Sequence, residues 1–167
     1  MMTTVKKWVD QLELTPHPEG GYYKEIIKGE QDEVTARAAY SSIYFLLTHD
    51  NISHFHRIDV DEIWYYHAGD SLTIHMIDAN GLYNKVTVGQ NIEAGDVLQY
   101  VVPKGTIFAS SIEDGVGYAL VGCMCQPAFD FNNFEMLSTE QLNKQFPHLL
   151  EINNKYALSQ SEITKYN

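Results

Sequence analysis

The chain has 167 residues and a net charge of −11, with 44% hydrophobic and 20% charged residues. This length and composition are typical of a single globular domain over 1–167. Because a strongly acidic surface repels phosphate backbones and anionic lipids, neither nucleic acid nor a membrane is an expected partner.

The expected compartment follows from the N-terminus and the cysteines. The first residues contain no apolar run long enough for a secretory signal peptide, and no stretch of about 18 apolar residues follows. Cys123 and Cys125 are the two cysteines, and strand alternation puts both thiols on one face, in poor geometry for a disulfide with each other. We expect reduced, buried cysteines in a cytoplasmic protein, with a metal-binding thiol pair as the alternative.

The pattern changes from helix to strand early in the chain. Apolar residues at helical spacing follow Thr4 and predict a short N-terminal helix. The turn-rich segment TPHPEGGY (15–22) comes next. From there to about residue 126, roughly eight to ten short alternating segments are separated by Gly and Asp. They predict an antiparallel sandwich or barrel, with a tight hairpin turn at Asn80–Gly81.

Helical spacing returns near the C-terminus. Ser138 and Gln141 form the pattern of a capping box, and Pro147 suits the first turn of a further helix. The tail 158–167 has weak patterning, so we expect it to be mobile. The predicted fold class is therefore all-β, with short N- and C-terminal helices.

The segment SHFHRIDVDEIWYYHAG (53–69) holds the clearest candidates for chemistry. His54 and His56 share one face of a predicted strand, and Glu62 shares a face of the next with Trp64 and Tyr66. If these strands pair, two imidazoles and a carboxylate meet in one cavity, the ligand set of a non-haem iron, manganese or zinc site. The alternative is a polar pocket wall without metal.

The same segment resembles the first cupin motif, His-x-His followed by Glu62 and then Gly69. GDVLQYVVPKGTIF (95–108) resembles the second cupin motif. Further motifs are similar to the fifth cupin domain family over about residues 12–150, namely HPEGGYYKE, SSIYFLL, DEIWYYHAG, VPKG and GCMCQPAFDFNNFE. This resemblance implies a cupin jelly-roll β-barrel or sandwich, a pocket inside the barrel and a homodimer.

Two departures from the general cupin pattern bear on the metal. Five residues separate His56 from Glu62, more than the cupin motif usually has. Phe108 occupies the position of the fourth ligand, three residues after Gly105, and a phenyl ring cannot coordinate a metal. The resemblance therefore implies no firm cofactor, at most a weakly bound divalent metal, and a pocket for an organic ligand.

Further candidate residues lie around these motifs. Gln99 lies among apolar residues, and a buried amide needs a partner in the protein or the ligand. Glu19 can be a pocket carboxylate or an anchor for its loop. Arg37 can receive a ligand carboxylate or phosphate, or pair with Glu19 or Glu25. The predicted ligand-binding set is Glu19, Arg37, His56, Glu62, Trp64, Gln99 and Phe108.

Two groups are predicted to pack rather than bind. By strict alternation His67 comes out opposite Glu62, which places it on the outside or at a dimer interface. The segment AFDFNNFEML spaces three phenylalanines as anchors over the barrel, which favours core or interface packing. They are Phe129, Phe131 and Phe134.

Three functions are compatible with these residues. The first is binding of a small organic ligand such as a sugar, a nucleotide-sugar or a small acid. The second is a metal-independent epimerase or isomerase in which His56 abstracts a proton α to a carbonyl and Tyr66 or Tyr44 donates one. The third is a metal-dependent oxygenase or isomerase built on His54, His56 and Glu62. The expected partners are a small molecule and a second copy of the chain.

Overall fold

In the computed structural model, which describes residues 4–113 and 117–165, two antiparallel sheets enclose the main core. The elements in chain order are α1 (Thr4–Leu12), β1 (Thr15–Pro16), β2 (Tyr22–Lys28), β3 (Ser41–Thr48), β4 (Ser53–Arg57), β5 (Asp61–Gly69), β6 (Leu72–Ile77), β7 (Tyr83–Val88), β8 (Gln99–Val102), β9 (Ile107–Ser111), β10 (Tyr118–Gln126), β11 (Glu135–Met136), α2 (Thr139–Gln145), α3 (Leu150–Tyr156) and α4 (Gln160–Ile163).

The two sheets have the topology expected of a jelly roll. One sheet has the order β1-β2-β3-β10-β5-β8 and the other β11-β4-β9-β6-β7. Strands distant in sequence are neighbours in space, with β3 beside β10 and β4 beside β9. The predicted all-β sandwich with small helices is confirmed.

Alternation along the strands separates the core from the outer layers. Phe45 and Leu47 on β3 face the main core with Trp64 of β5, whereas Leu46 points outward under α1. The C-terminal helices cover the other sheet, where Phe55 packs with buried residues of α2 and α3. No helix among the described residues is long and apolar enough to cross a membrane.

The structure contains most of the helical features that were predicted for the C-terminal region. The Ser138 hydroxyl accepts the Gln141 N–H at 3.2 Å and the Gln141 side chain accepts the Ser138 N–H at 2.8 Å, so the predicted capping box is confirmed. Pro147 opens a short 3₁₀ turn ahead of α3. The weakly patterned tail contains α4 with Ile163 buried, while residues 166 and 167 lie outside the described residues.

The tight hairpin turn predicted at Asn80–Gly81 is present between β6 and β7: the Gly81 N–H donates to the Asp78 carbonyl at 3.0 Å, and the Asp78 N–H donates to the Leu82 carbonyl at 3.1 Å. β6 ends at Ile77 and β7 begins at Tyr83. The Asp78 carboxylate accepts the backbone N–H groups of Asn80 at 2.8 Å and of Leu82 at 2.9 Å. An aspartate turn of this kind satisfies the backbone of the turn.

Candidate functional site

A cavity of about 230 Å³ lies between the two sheets and is the candidate site. We call it the barrel cavity. Its polar lining consists of His17, Glu19, Glu25, Ser41, His56 and Glu62. Its apolar lining consists of Tyr23, Ile43, Phe45, Ile58, Phe129 and Phe131, and the two cysteines complete the wall.

The turn before β2 brings Glu19 into the barrel cavity. Gly20 and Gly21 have φ of 111° and 74°, a region that favours glycine. A Cβ on Gly20 would collide with the Ile52 carbonyl, so the turn approaches β4 more closely than other residues allow. The His54 N–H donates to the Glu19 carbonyl at 2.8 Å and fixes the turn against β4.

Glu19 lies between two imidazoles. Its Oε2 is 3.3 Å from His56 Nε2 and 3.4 Å from His17 Nδ1, and its Oε1 accepts the Ser53 hydroxyl at 2.8 Å. His56 Nδ1 lies 2.8 Å from the His54 carbonyl, which only accepts, so His56 carries its proton there and offers a lone pair on Nε2. His17 Nδ1 accepts the Glu19 backbone N–H at 3.3 Å. Neither ring nitrogen carries a proton toward Oε2, so a proton on that oxygen completes the hydrogen bond to His56 Nε2.

Burial favours the uncharged form of each of these side chains. It raises the pKa of the Glu19 carboxyl well above its usual value, the Glu62 charge raises it further, and the Ser53 hydrogen bond lowers it by less. Burial lowers the pKa of His56 to about 4 and that of His17 to about 3. Two neutral imidazoles beside a carboxylic acid agree with the hydrogen-bond assignment.

Glu62 is the group that changes charge near neutral pH. It lies on the inner face of β5 as predicted, and burial raises its pKa to about 7. The Trp64 indole N–H and the Cys123 thiol face the carboxyl and lower that pKa by less than burial raises it. Within the described chain, Trp64 Nε1 has no hydrogen bond of good geometry. Glu62 can therefore hold or release a proton inside the cavity.

Aromatic rings surround His17 on several sides. The Tyr23 ring lies 4.6 Å away edge-on, the Phe131 ring stacks at 5.7 Å, and the rings of Phe129 and Phe134 approach edge-on at 6.3 Å and 5.7 Å. Phe129 and Phe131 line the barrel cavity. The segment after β10 was predicted to pack in the core or an interface, and two of its phenylalanines instead form a wall of the cavity.

Of the predicted metal ligands, His56 and Glu62 share the cavity but His54 does not line it. A register shift in β4 between Ser53 and His56 breaks the alternation, so these two residues both reach Glu19. His54 Nδ1 instead lies 2.8 Å from the Glu19 carbonyl. In residues 4–113 and 117–165 no group of three or more His, Cys, Asp or Glu side chains is arranged to hold a metal ion.

The structure contradicts the prediction for Arg37. Its guanidinium forms a bidentate pair with Asp59 at 2.8 Å and 3.0 Å, and its Nε donates to the Ala128 carbonyl at 2.6 Å. It therefore pairs with neither Glu19 nor Glu25, and it lies outside the cavity lining. Its hydrogen bond to Ala128 instead fixes the start of the segment that carries Phe129 and Phe131.

The prediction of a buried amide at Gln99 is also wrong. β8 is the edge strand of its sheet and begins at Gln99, whose side chain is exposed. Val102 is the buried residue of this strand. The prediction that buried and exposed residues differ between the two faces of β8 holds, but alternation alone does not tell which face of an edge strand is buried.

The predicted pairing of His56 with a tyrosine acid is not formed. The Tyr66 hydroxyl donates to the Gly69 carbonyl at 2.7 Å, and neither Tyr66 nor Tyr44 lines the barrel cavity. The Tyr44 ring lies 5.8 Å from His67 on the outer face of the sheet, where His67 is exposed as predicted.

Trp64 and Phe108 pack in the core behind the residues that line the cavity. Both are 1% exposed and belong to the main core. The Phe108 ring centre lies 4.1 Å from that of His56 and 6.3 Å from that of Trp64. They position the lining residues and are not themselves part of the cavity surface.

The cysteines are buried and free, as predicted. Both line the barrel cavity. Burial raises the pKa of Cys123 and of Cys125, so both thiols stay protonated at neutral pH. His17, Glu25 and Ser41 are the polar lining residues that were not predicted as site residues. Their one signal in the sequence is that they lie in the motifs HPEGGYYKE and SSIYFLL.

The family model described as "Cupin superfamily (DUF985)" matches residues 6–137. The chain belongs to this cupin family. Protein SO0799 from Shewanella oneidensis is similar to this cupin at 40% identity, covering 95% of this chain and 100% of that one with a TM-score of 0.90. A hypothetical protein from Leishmania major is 40% identical, covering 94% and 100% with a TM-score of 0.86.

A more distant likeness concerns the fold alone. Oxalate decarboxylase from Bacillus subtilis is 19% identical to this cupin, covering 91% of this chain and 36% of that one with a TM-score of 0.56. The common sandwich does not transfer that enzyme's reaction.

Proposed function

We propose that this cupin binds a small organic molecule in the barrel cavity. The observation that carries the proposal is the convergence of His17, Glu19, His56 and Glu62, all buried, on a cavity whose remaining walls are largely aromatic and aliphatic. A concave apolar site with a few convergent polar groups and perturbed pKa values is the usual form of a ligand site.

The size of the cavity narrows the choice among the predicted ligands. Its volume of about 230 Å³ is below the roughly 300–1,000 Å³ of sites for drug-sized ligands. A molecule no larger than a monosaccharide fits better than a nucleotide-sugar. A small acid is the least suitable of the three, because none of the described residues that line the cavity is Lys or Arg.

A second candidate is metal-independent proton transfer on the bound molecule. It is favoured by Glu62, whose pKa of about 7 suits a general acid or base at neutral pH. Glu62 faces the same cavity as His56. In this candidate Glu62 takes the role that the sequence analysis gave to Tyr66.

The binding proposal is tested by thermal unfolding with a panel of sugars, small acids and small amines. A ligand at 100 times its Kd stabilises the folded state by about 2.7 kcal/mol, a rise in Tm of roughly 5–11 °C for a chain of this size. Ile43→Phe, which fills the cavity, should abolish the rise. Ile63→Phe, on the outer face of β5, should retain it.

Failure of the whole panel to stabilise the wild type, or an undiminished rise with Ile43→Phe, would contradict the proposal. Incubating each binding compound with the protein in D₂O separates the two candidates. Exchange of deuterium at a carbon α to a carbonyl supports proton transfer, and binding without exchange supports binding alone.

A further inference from the structure

Carboxyl groups are the groups of the barrel cavity that can carry charge near neutral pH. Glu19, Glu25 and Glu62 line it, Glu19 with a proton on its carboxyl and Glu62 with a pKa of about 7, and none of the described lining residues is Lys or Arg. Lys28 reaches Glu25 at 3.5 Å, but both side chains are substantially exposed and Lys28 lies outside the lining. The whole chain has a net charge of −11. The electrostatic field of the site therefore favours a positively charged ligand.

The imidazole acceptors that face Glu19 are engaged within the protein. His56 Nε2 faces Glu19 Oε2, and His17 Nδ1 accepts the Glu19 backbone N–H. The Glu62 carboxyl lines the cavity and acts only as an acceptor when it is ionised. A hydrogen-bond donor or a positive charge complements it better than an anion does.

Four aromatic rings complete the lining: Tyr23, Phe45, Phe129 and Phe131. The negative face of an aromatic ring attracts ammonium groups, most strongly where water is excluded. Aromatic rings combined with carboxyl groups, without Lys or Arg, are the chemistry that recognises organic ammonium ions.

We propose that the ligand of the barrel cavity is a small organic cation whose ammonium group lies between Glu62 and the aromatic wall. This inference rests on the proposed binding function and names the chemical class of the ligand. It differs from the sugar or acid that the sequence analysis suggested.

Proton release should accompany binding of such a cation. The titratable groups that line the cavity with Glu62 are His17 and Glu19 from the turn before β2, Glu25 from β2, His56 from β4, and Cys123 and Cys125 from β10. Burial favours the uncharged forms of Glu19, of both histidines and of both thiols, so Glu62 is the buried group that titrates near neutral pH. A cation favours its carboxylate form, and binding should strengthen as the pH rises through about 7.

Choline tests the inference because its charge does not depend on pH. Its neutral isostere, 3,3-dimethylbutan-1-ol, has the same shape without the charge. Calorimetry at pH 8 should show choline binding at least about tenfold more tightly than the isostere. Linkage to one proton predicts that choline affinity falls about tenfold from pH 8 to pH 6.

Two variants and one control variant locate the effect. Glu62→Gln should weaken choline binding at pH 8 and remove its pH dependence, whereas Glu151→Gln, an exposed carboxyl on α3, should change neither. Phe131→Ala, at a ring that is 50% exposed, tests the aromatic wall without opening the core and should weaken choline but keep the pH dependence.

The outcomes distinguish the two proposals. Equal binding of choline and its isostere overturns the cation inference, as does a pH dependence unchanged in Glu62→Gln. A sugar that binds where choline does not also overturns it, while the proposed function stands. If choline, the sugars and the small acids all fail to bind, both proposals are wrong.

Discussion

Phe108→Ala is expected to lower the free energy of unfolding by about 3–5 kcal/mol, the usual cost of removing a buried aromatic ring. Phe108 is 1% exposed and packs between His56 and Trp64. The void would remain because the rings on either side belong to different strands, and a core of two packed sheets closes incompletely around a cavity.

The expected fall in Tm is roughly 6–20 °C for a domain of this size. Thermal unfolding followed by circular dichroism measures it. Leu82→Ala, at a side chain that is 65% exposed, is the matched control and should change stability by no more than about 0.5 kcal/mol. A loss below about 1 kcal/mol for Phe108→Ala would mean that the ring does not fill the core.

Glu62→Gln is expected to make the protein less sensitive to rising pH. Burial raises the pKa of Glu62 from 4.5 to about 7, so the folded state keeps a proton that the unfolded chain releases. The stability from this group is complete below about pH 4.5 and is lost as the pH rises to about 7. The shift corresponds to about 3 kcal/mol, which the glutamine variant does not lose.

Urea denaturation at intervals between pH 5 and pH 8 measures this effect. The difference in free energy of unfolding, variant minus wild type, should increase steadily toward pH 7 and then level off. The slope matters more than the offset, because glutamine changes the contacts of Trp64 and Cys123 at every pH. A flat difference would show that Glu62 is already ionised below pH 5.

The fold was predictable because alternation and turn residues are local signals. The inner face of β5, with Glu62 and Trp64 buried, follows from strict alternation. The capping box at Ser138 likewise depends on residues three apart. Motifs shared with the cupins added the arrangement of the strands, which no local pattern contains.

The site was predicted only in part, since its remaining features depend on long-range geometry. A register shift in β4 removed His54 from the cavity, and nothing in the sequence marks that shift. Arg37 pairs with Asp59, which lies 22 residues later in the chain. Gln99 is exposed because its strand lies at a sheet edge. His17 lies in the cavity because of the turn that follows it, and the path of that turn depends on the close approach of Gly20 to Ile52.

The measurement that tests the account most directly is a set of crystal structures soaked with small amines, sugars and acids. We predict that bound molecules collect in the barrel cavity in contact with His56 and Glu62, and that ammonium groups lie between Glu62 and Phe131. The account would be contradicted if every soak left only water in the cavity while the same compounds occupied other surfaces of the protein.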